Sequence, residues 1–355
     1  MSTIKAARTF LLTYVLLIWK CAALNVGTHL ISSPRVSASK LELQNGSDRA
    51  YVGIADYPTK YLIIGATGRV GSRVVSKLIS AGYDVKCLVR DQTRASAMGE
   101  LKGAVFHEGS TDDIESLVNA TRDCDVVVDV HGMKPPRFSK LTDLVLHPKH
   151  DNTHPYNVNY LGTKRVLAAM KINNVRKLVR ITGSLTGKPA FLFPIVLFNF
   201  LLSMSPKWHE RSEIAIRESG VEYTVLRPTE IVEEPPALVT GRSLLVLQGD
   251  AGERPPLPGK VSVVDLSDLV FRAAKSFSLF SRTSVVVSSI DGTDGSQSWD
   301  PLCGKVVKDY VKLVPQKHSL ATSLFAGVIL PSIIFVATKF IKLALRLIAQ
   351  IISRR

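Results

Sequence analysis

The sequence predicts an α/β fold: a doubly wound parallel sheet covered by helices on both faces, followed by a C-terminal transmembrane helix. Three observations support this prediction. Short apolar runs alternate with helical patterns between residues 61 and 289, a glycine-rich turn joins the first run to the first helix, and residues 320–338 carry no charge. Strands that alternate with helices form parallel sheets with both faces covered.

Composition limits the classes of function. The chain has 355 residues, 46% of them hydrophobic, and a net charge of +15. This length is enough for one large domain or two small ones. A basic chain suits nucleic acid, a membrane surface or an organelle. Because no basic patch is interleaved with aromatic residues and no zinc-finger or HExxH spacing occurs, we expect neither a nucleic-acid partner nor a metal.

The four cysteines form no CxxC pair, so neither a zinc site nor a redox motif is indicated. Cys87 and Cys124 fall in strand-like apolar runs. We expect both to be buried and to act as small hydrophobic residues.

The N-terminal segment resembles targeting sequences. Lys5 and Arg8 precede an apolar run, and small residues follow at Cys21 to Ala23, which predicts a signal peptide over residues 1–23. An ordinary N-terminal helix is the alternative. Residues 24–58 begin rich in serine and basic residues and poor in acids, so they are interpreted as a transit-like or linker segment. Signal plus transit peptide is the address of plastid proteins in some algae; a signal peptide alone leads to the endoplasmic reticulum.

Residues 59–290 form the predicted α/β domain. Its apolar runs lie at 61–64, 85–89, 104–106, 126–130, 178–181, 223–226, 244–247 and 285–287. An apolar, aromatic segment at residues 191–204 interrupts the alternation. That segment has three interpretations: it lines an apolar pocket, it contacts a membrane, or it completes the core.

The C-terminal part is divided by composition. Residues 291–318 are predicted to be a polar linker, and residues 319–338 a transmembrane helix of near-minimal length. Pro331 lies inside this span, and membrane helices tolerate proline. Residues 339–355 mix basic and apolar side chains, which is typical of an amphipathic helix on an anionic lipid surface. A helix that docks on the soluble domain is the alternative.

The stretch GATGRVG contains the glycines of a nucleotide-binding turn. It follows an apolar strand and opens a helix, which is the context that the dinucleotide fingerprint requires. Gly65 permits the sharp turn, Gly68 lets the backbone approach a pyrophosphate, and Gly71 lets the helix pack closely on the sheet. The helix N-terminus then offers free N–H groups to the phosphates.

Arg90 ends the second predicted strand, where an acid would hold the ribose of NAD. Because arginine binds phosphate in a bidentate manner, we expect NADP rather than NAD. Arg69 and Arg94 lie nearby in the sequence, whereas Asp91 argues in the opposite direction.

These motifs resemble the atypical short-chain dehydrogenase/reductases, in the branch of NmrA-like and NAD(P)-binding domain proteins. The resemblance covers residues 60–289 and rests on GATGRVG, EGSTDDIESL, CDVVVDV, VNYLGTKRVLAAMKINNVRKLVRIT, RESGVEYTVLRP and VSVVDLSDLVFRA. It implies a Rossmann fold, a nicotinamide cofactor and, for most members, oxidoreductase activity.

The resemblance assigns cofactor contacts residue by residue. The pyrophosphate side would be formed by Gly65, Thr67, Gly68, Arg69, Val70 and Gly71. Arg90 would contact the 2′-phosphate and Gly109 the adenine, although Ser110 replaces the acid that usually follows this glycine. The nicotinamide side would be formed by Asp129 and Val130 after the fourth strand and by Pro228 and Thr229 after the sixth. Asp113 matches a second acid of the family and is expected to cap a helix.

The family's catalytic Tyr-x-x-x-Lys pair is absent. Ser205 occupies the tyrosine position and His209 the lysine position. One interpretation makes His209 the proton donor, with Thr182 next, as in the biliverdin-IXβ/flavin reductase branch, where a histidine lies in the corresponding segment. Lys207 in a shifted register is a second interpretation, and binding of the nucleotide without turnover is a third. His131 is a further candidate beside the nicotinamide.

The expected function is therefore that of a membrane-attached, NADPH-dependent reductase of an apolar or aromatic small molecule. The alternative is a non-catalytic NADP-binding scaffold, assembly factor or redox sensor at an organelle membrane. The expected partners are a membrane and either a small-molecule substrate or a membrane complex.

Overall fold

The computed structural model describes residues 59–133, 151–187, 202–248, 259–291 and 298–309, together with 332, 333, 335, 336, 338 and 339. All of them belong to one compact unit, Tyr57–Arg355. The predicted signal peptide (1–23), the transit-like segment (24–58) and the basic tail (339–355 beyond Lys339) lie outside the described residues.

One ten-stranded sheet forms the centre of the described domain. Its strands are β1 (Lys60–Ile64), β2 (Asp84–Val89), β3 (Val105–Glu108), β4 (Val126–Asp129), β5 (Lys177–Ile181), β6 (Glu222–Pro228), β7 (Glu230–Val232), β8 (Arg242–Gln248), β9 (Lys260–Ser262) and β10 (Thr283–Asp291). The order begins β3-β2-β1-β4-β5-β6, with every neighbouring pair parallel. This is the Rossmann order, so the predicted doubly wound sheet is confirmed.

The helices follow the strands in alternation. They are α1 (Arg69–Ser80), α2 (Gln92–Ser96), α3 (Ile114–Thr121), α4 (Gly162–Ile172), α5 (Ser205–Glu218), α6 (Ala237–Thr240), α7 (Val263–Lys275), α8 (Phe277–Phe280) and α9 (Asp300–Cys303). A π-helical turn, Tyr156–Leu161, leads directly into α4. Turns of this kind are frequent at functional sites.

Each face of the sheet has its own apolar core. Alternate residues of a strand point to opposite faces, so Ile63 of β1 packs with α1 and α7, whereas Leu62 packs with α3, α4 and α5. Both strand residues are fully buried. The continuous apolar runs read from the sequence correspond to strands that are covered on both sides.

The strand order reverses between β1 and β4. Ligands of such sheets bind outside the carboxyl ends of the strands at this point. The glycine turn after β1 and the residues after β4 therefore meet where a dinucleotide is expected.

Part of the segment predicted to be a polar linker, 291–318, packs on the domain. Trp299 and Cys303 are buried in the core, and the indole of Trp299 donates to the carbonyl oxygen of Asp265 at 2.9 Å. Farther along, Asp309 accepts hydrogen bonds from Tyr223 and Ser284. The linker was predicted from the polar residues of this segment, whereas the buried Trp299 attaches it to the domain.

The three described cysteines are free and buried, which confirms the prediction for Cys87 and Cys124. Burial raises the pKa of Cys87 to about 12, so this thiol stays protonated and unreactive.

Among the residues that the structure describes, no helix has the length and apolar character needed to cross a membrane. Most of the predicted transmembrane span, 319–338, lies outside them. The described residues of that span are helical, and Ile333, Phe335 and Val336 are exposed.

Candidate functional site

The glycine turn between β1 and α1 has the shape that close packing and phosphate binding require. Gly65 adopts φ +90°, a conformation that favours glycine. A Cβ at Gly71 would lie 2.1 Å from the carbonyl oxygen of Gly65, so α1 can begin this close to β1 only with glycine there. Gly68 is exposed and its Cβ would meet only the carbonyl oxygen of Gly65, at 3.1 Å. Its backbone is therefore open to a ligand at the helix N-terminus.

The remaining predicted residues of this turn differ in exposure. Val70 is buried in the core, Thr67 is partly exposed and Arg69 is exposed. A guanidinium nitrogen of Arg69 lies 3.6 Å from a carboxylate oxygen of Glu233, which also contacts Arg73 at 3.4 Å. These exposed pairs contribute little to stability, so the arginines can exchange them for a phosphate.

Arg90 lies at the carboxyl end of β2 and is exposed. No described residue forms an ion pair or hydrogen bond with its guanidinium, so the side chain is available to a ligand. The neighbouring Asp91 caps α2 by accepting from the backbone N–H of Arg94 at 2.8 Å. The carboxylate is therefore engaged by the N-terminus of that helix.

Gly109 has a packing role. A Cβ there would lie 2.4 Å from that of Ser116, and its N–H donates to Val89 at 2.8 Å. Ser110, at the position of the missing acid, exchanges hydrogen bonds with the hydroxyl of Ser116. Asp113 caps α3, as predicted, by accepting from the N–H of Glu115.

Across the point where the strand order reverses, the predicted nicotinamide-side residues lie at the ends of β4 and β6. The N–H of Val130 donates to Ile64 at 3.0 Å. Pro228 is buried, and its carbonyl accepts from the N–H of Ser184 at 3.0 Å. The Thr229 hydroxyl donates to Val287 and Ser288 in the middle of β10.

Asp129 belongs to a buried ionic cluster that the sequence did not indicate. It pairs in register with Arg180 of β5, and Nη1 of Arg180 lies 2.9 Å from Oδ1 of Asp129, with both side chains fully buried. The same Nη1 donates to the carbonyl oxygen of His131 at 2.7 Å, and Nδ1 of His131 contacts Asp129 Oδ1. Burial alone would raise the pKa of Asp129, but Arg180 and His131 outweigh it and lower the pKa.

His131 connects this cluster to the glycine turn. A Cβ at Gly65 would lie 2.9 Å from the backbone nitrogen of His131, so the two backbones touch. On its other side, Nε2 of His131 lies 2.9 Å from the carbonyl oxygen of Val158 in the π-helical turn. Gly162 leaves space for this ring, because a Cβ there would meet Nε2 at 3.1 Å.

The positions of the absent Tyr–Lys pair are joined by a third residue, Asn159. Its side-chain nitrogen lies 3.1 Å from the Ser205 hydroxyl oxygen and 3.2 Å from Nε2 of His209. Burial, followed by the neighbouring Arg180 and His131, lowers the pKa of His209 well below its usual range. The ring is therefore neutral at neutral pH. The sequence predicts a proton donor of near-neutral pKa at this position, and the lowered pKa does not fit that role.

Thr182, the second catalytic candidate, donates its hydroxyl hydrogen to Oε1 of Glu213 at 2.6 Å. Glu213 is fully buried and receives the guanidinium of Arg227 through Nε at 3.1 Å and Nη2 at 2.5 Å. The hydroxyl hydrogen of Thr182 is thus engaged in a closed polar network between β5, β6 and α5. It is not directed toward His209.

Lys207 lies apart from this arrangement. Its ammonium nitrogen lies 4.6 Å from the centroid of the Trp208 ring, and burial, followed by Arg211, lowers its pKa. Trp208 packs against Tyr156 and Tyr160, with centroid distances of 4.8 and 6.0 Å. These three rings form an aromatic cluster directly beside Asn159 and His209.

Sequence reasoning missed Arg180, Asn159, Glu213 and Arg227 as members of the site region. One signal was available: Arg180 and Arg227 are charged residues inside apolar strands. Such residues are rarely buried without a partner. No cluster suited to a metal ion occurs among the described residues.

Comparison with known proteins now gives the family. The NAD(P)H-binding family model matches residues 65–276, which include the glycine turn, the buried ionic cluster and His209. The match extends over more than half of the chain.

Curated plastid proteins are among the relatives. Protein TIC 62 of the Arabidopsis thaliana chloroplast is 27% identical over 277 residues, which cover 73% of this chain and 40% of the relative. The photosystem II assembly factor Ycf39 of Cyanophora paradoxa is 27% identical over 168 residues, or 47% and 44% of the two chains. The chloroplastic divinyl chlorophyllide a 8-vinyl-reductase of Cucumis sativus is 25% identical over 179 residues, or 48% and 38%. The chain spans less than half the length of each of these relatives.

Solved structures share the fold. ChuY, an anaerobilin reductase from Escherichia coli O157:H7, superposes with a TM-score of 0.50 at 16% identity and covers 67% of this chain and 100% of its own. An epimerase/dehydratase-type protein from Bacillus halodurans gives a TM-score of 0.52 at 13% identity, covering 66% and 95%. At these identities the likeness extends to the fold alone.

Proposed function

The chain belongs to the NAD(P)H-binding family, among the atypical short-chain dehydrogenase/reductases, and from this membership we propose that it is an NADPH-dependent reductase of a flat, apolar small molecule. The observation that carries the proposal is an unbroken series of contacts between the glycine turn, where the cofactor would bind, and the positions of the absent Tyr–Lys pair. The glycine turn touches His131, and His131 connects through Arg180 and the π-helical turn to Asn159 and His209.

The proposed cofactor is NADP rather than NAD. Arg90 supports this choice, because it is exposed, unpaired among the described residues and located at the end of β2. The turn residues Gly65 to Gly71 would hold the pyrophosphate at the N-terminus of α1. When bound, the reduced nicotinamide supplies hydride.

The chain's own contribution is to position and polarise the substrate. The neutral His209 does not serve as a strong acid, so the proton of the reduction comes from water. The aromatic cluster of Tyr156, Tyr160 and Trp208 offers ring faces next to this polar site. Flat, apolar molecules are held well by such faces.

A plastid membrane is the proposed location. The relatives named chloroplastic and the signal-plus-transit pattern of residues 1–58 support the plastid. Membrane attachment is supported by the uncharged span at 319–338 and by the exposed apolar side chains of its described part.

A second function is favoured by a specific observation. The Tyr–Lys pair is replaced by Ser205 and His209, which Asn159 joins by hydrogen bonds. Because the pKa of His209 is lowered, His209 does not replace the missing proton donor, and in this alternative the domain binds NADP without turnover and acts as a scaffold or assembly factor at the plastid membrane. The name of the Ycf39 relative agrees with this alternative.

One experiment separates the two functions. The full chain in detergent is mixed with NADPH and with flavin or quinone acceptors, and oxidation is followed at 340 nm beside an NADPH binding titration. The reductase proposal predicts saturable oxidation that is lost in the Gly68→Val variant. Binding without oxidation of any acceptor would favour the scaffold, and absence of binding would contradict both.

A further inference from the structure

We propose that Arg180 and His209 form a subsite for the carbonyl oxygen of the substrate, so that they take over the polarising task of the absent Tyr–Lys pair. This inference rests on the proposed reductase function and names the substrate class, a conjugated carbonyl compound. It begins with hydrogen bonds whose direction can be assigned.

The orientation of the Asn159 amide is determined by its neighbours. The backbone N–H of Met133 lies 3.3 Å from Oδ1 of Asn159, and a backbone N–H can only donate. Oδ1 is therefore the oxygen, and the NH₂ group faces Ser205 and His209.

The tautomer of His209 follows. Because the Asn159 NH₂ group is a donor, Nε2 of His209 must accept and carries no hydrogen. A neutral ring then has its proton on Nδ1. This nitrogen is buried and has no hydrogen-bond partner within the described part of the chain. His209 as a whole is partly exposed.

Arg180 provides the second set of free donors. Its polar contacts with the described residues are made through Nη1, whereas Nε and Nη2 are buried and have no hydrogen-bond partner among those residues. Its side chain is fully buried, and unpaired buried donors of a charged group are costly. Both groups contact the same short segment of the fold: Nη1 of Arg180 lies 3.1 Å from Nδ1 of His131, whose Nε2 lies 2.9 Å from the carbonyl oxygen of Val158. The next residue along the chain, Asn159, contacts His209 at 3.2 Å.

These donors require an acceptor atom. A carbonyl oxygen and a carboxylate share that chemistry, but Asp129 distinguishes them. It already balances the charge of Arg180, and its Oδ2, a buried acceptor, has no partner either. A carboxylate would bring a full negative charge that no free cation in the described part of this subsite balances, whereas a carbonyl oxygen is neutral when it binds. The subsite therefore selects a carbonyl oxygen, and the charge that develops on it during reduction is neutralised by a proton from water.

The donors act on charge that develops during reduction. As the substrate accepts a hydride at carbon, the π bond of its conjugated carbonyl system breaks and the electron pair moves onto oxygen. Arg180 and the Nδ1–H of His209 stabilise this oxygen, and a proton from water then neutralises it. The substrate is reduced by two electrons and NADPH is oxidised to NADP⁺, so the step balances without another reactant.

The test uses the full chain with ¹⁵N only in its 8 histidines. Nuclear magnetic resonance reports which ring nitrogen of His209 is protonated, with the signal assigned by its loss in His209→Gln. We expect a proton on Nδ1 and a shift of that signal on titration with cyclohex-2-en-1-one, a small conjugated ketone, but not with acetate. A proton on Nε2, no shift with the ketone, or a stronger response to acetate would each overturn the proposal.

A double variant tests Arg180 without leaving a lone buried charge. Arg180→Met with Asp129→Asn should weaken binding of the ketone about tenfold or more, the effect of losing a charged hydrogen bond. The matched control, Arg217→Met with Asp309→Asn, also removes a largely buried ion pair, in which Nη2 of Arg217 lies 3.1 Å from Oδ2 of Asp309, and should keep the wild-type affinity. Equal losses in both double variants would overturn the assignment of Arg180. The ketone titration needs no NADPH, so its result does not depend on turnover. Absence of turnover would disprove the reductase function but would not decide whether Arg180 and His209 bind a carbonyl oxygen.

Discussion

The carbonyl oxygen of Gly65 lies only 2.1 Å from the position that a Cβ of residue 71 would occupy. Gly71→Ala must therefore push α1 away from β1. We expect the variant to lose about 1–3 kcal/mol of unfolding free energy, measured by urea denaturation. Gly99→Ala is the control, because no atom lies within 4 Å of its added Cβ; a similar loss there would show that the packing argument fails.

Gly68→Val should separate binding from folding. Gly68 has φ −84° and ψ 167°, an extended conformation that valine adopts readily, and only the Gly65 carbonyl oxygen, at 3.1 Å, is near its Cβ. The side chain would occupy the path of the pyrophosphate while the fold remains. We expect NADPH fluorescence titration to show no binding and the urea midpoint to stay near that of the wild type. Unchanged NADPH affinity would disprove the assignment of the turn.

Arg90→Ala should weaken NADPH far more than NADH. A charge-assisted contact with the 2′-phosphate contributes about 1.5–3 kcal/mol, or roughly ten- to hundredfold in Kd, and NADH lacks that phosphate. Arg94→Ala, which removes an equally exposed arginine from α2, should change neither affinity. Equal losses for both nucleotides would show that Arg90 does not recognise the phosphate.

Glu213→Gln should destabilise the domain strongly. The change leaves the buried guanidinium of Arg227 without its carboxylate, and breaking such a pair costs about 3–5 kcal/mol. Glu218→Gln alters an exposed residue of the same helix and should have almost no effect. The free energies of unfolding of both variants by urea provide the comparison.

Stability should depend on pH through His209. Its pKa is lowered in the folded state, so the unfolded chain binds a proton that the folded chain does not. The stabilisation is complete above the ordinary histidine pKa of about 6.5 and is lost as pH falls below it. The slope cannot exceed about 1.4 kcal/mol per pH unit, and partial exposure of the ring reduces it.

The comparison of wild type with His209→Gln isolates this contribution. Between pH 6.5 and 4.5 the wild type should lose more unfolding free energy than the variant, whereas His107→Gln should follow the wild type. Asp129, whose pKa is also lowered, acts in the same direction but below the ordinary carboxylate range. Parallel curves for wild type and His209→Gln would contradict the lowered pKa.

Local patterns predicted the fold and the glycine turn well, because each depends on neighbours in sequence. The strand at 61–64, the turn after it and the cap at Asp113 all appear where the patterns indicated. The strands β7 and β9 were missed, since each has only three residues and no periodicity can be read from so short a run.

The buried polar site could not be predicted in the same way. Arg180 meets Asp129 because β5 pairs with β4 in one register, and Asn159 meets His209 because the π-helical turn and α5 pack together. A charge within an apolar strand signals that a partner exists, but its identity depends on residues about 50 positions away in the chain. The largest difference concerns His209, which the sequence predicts to be a proton donor. Its lowered pKa depends on burial and on the neighbouring Arg180 and His131, whose positions could not be predicted from the sequence.

The position of β10 has a consequence for synthesis and expression of the protein. This strand lies between β6 and the strands β8 and β9, yet it follows β6 by more than 50 residues and begins after the family match has ended. Until it leaves the ribosome, the nascent chain presents β6 as an open edge, ready to pair with another molecule. A fragment of residues 59–276 would keep that edge permanently and should aggregate, whereas one of residues 59–291 can close it.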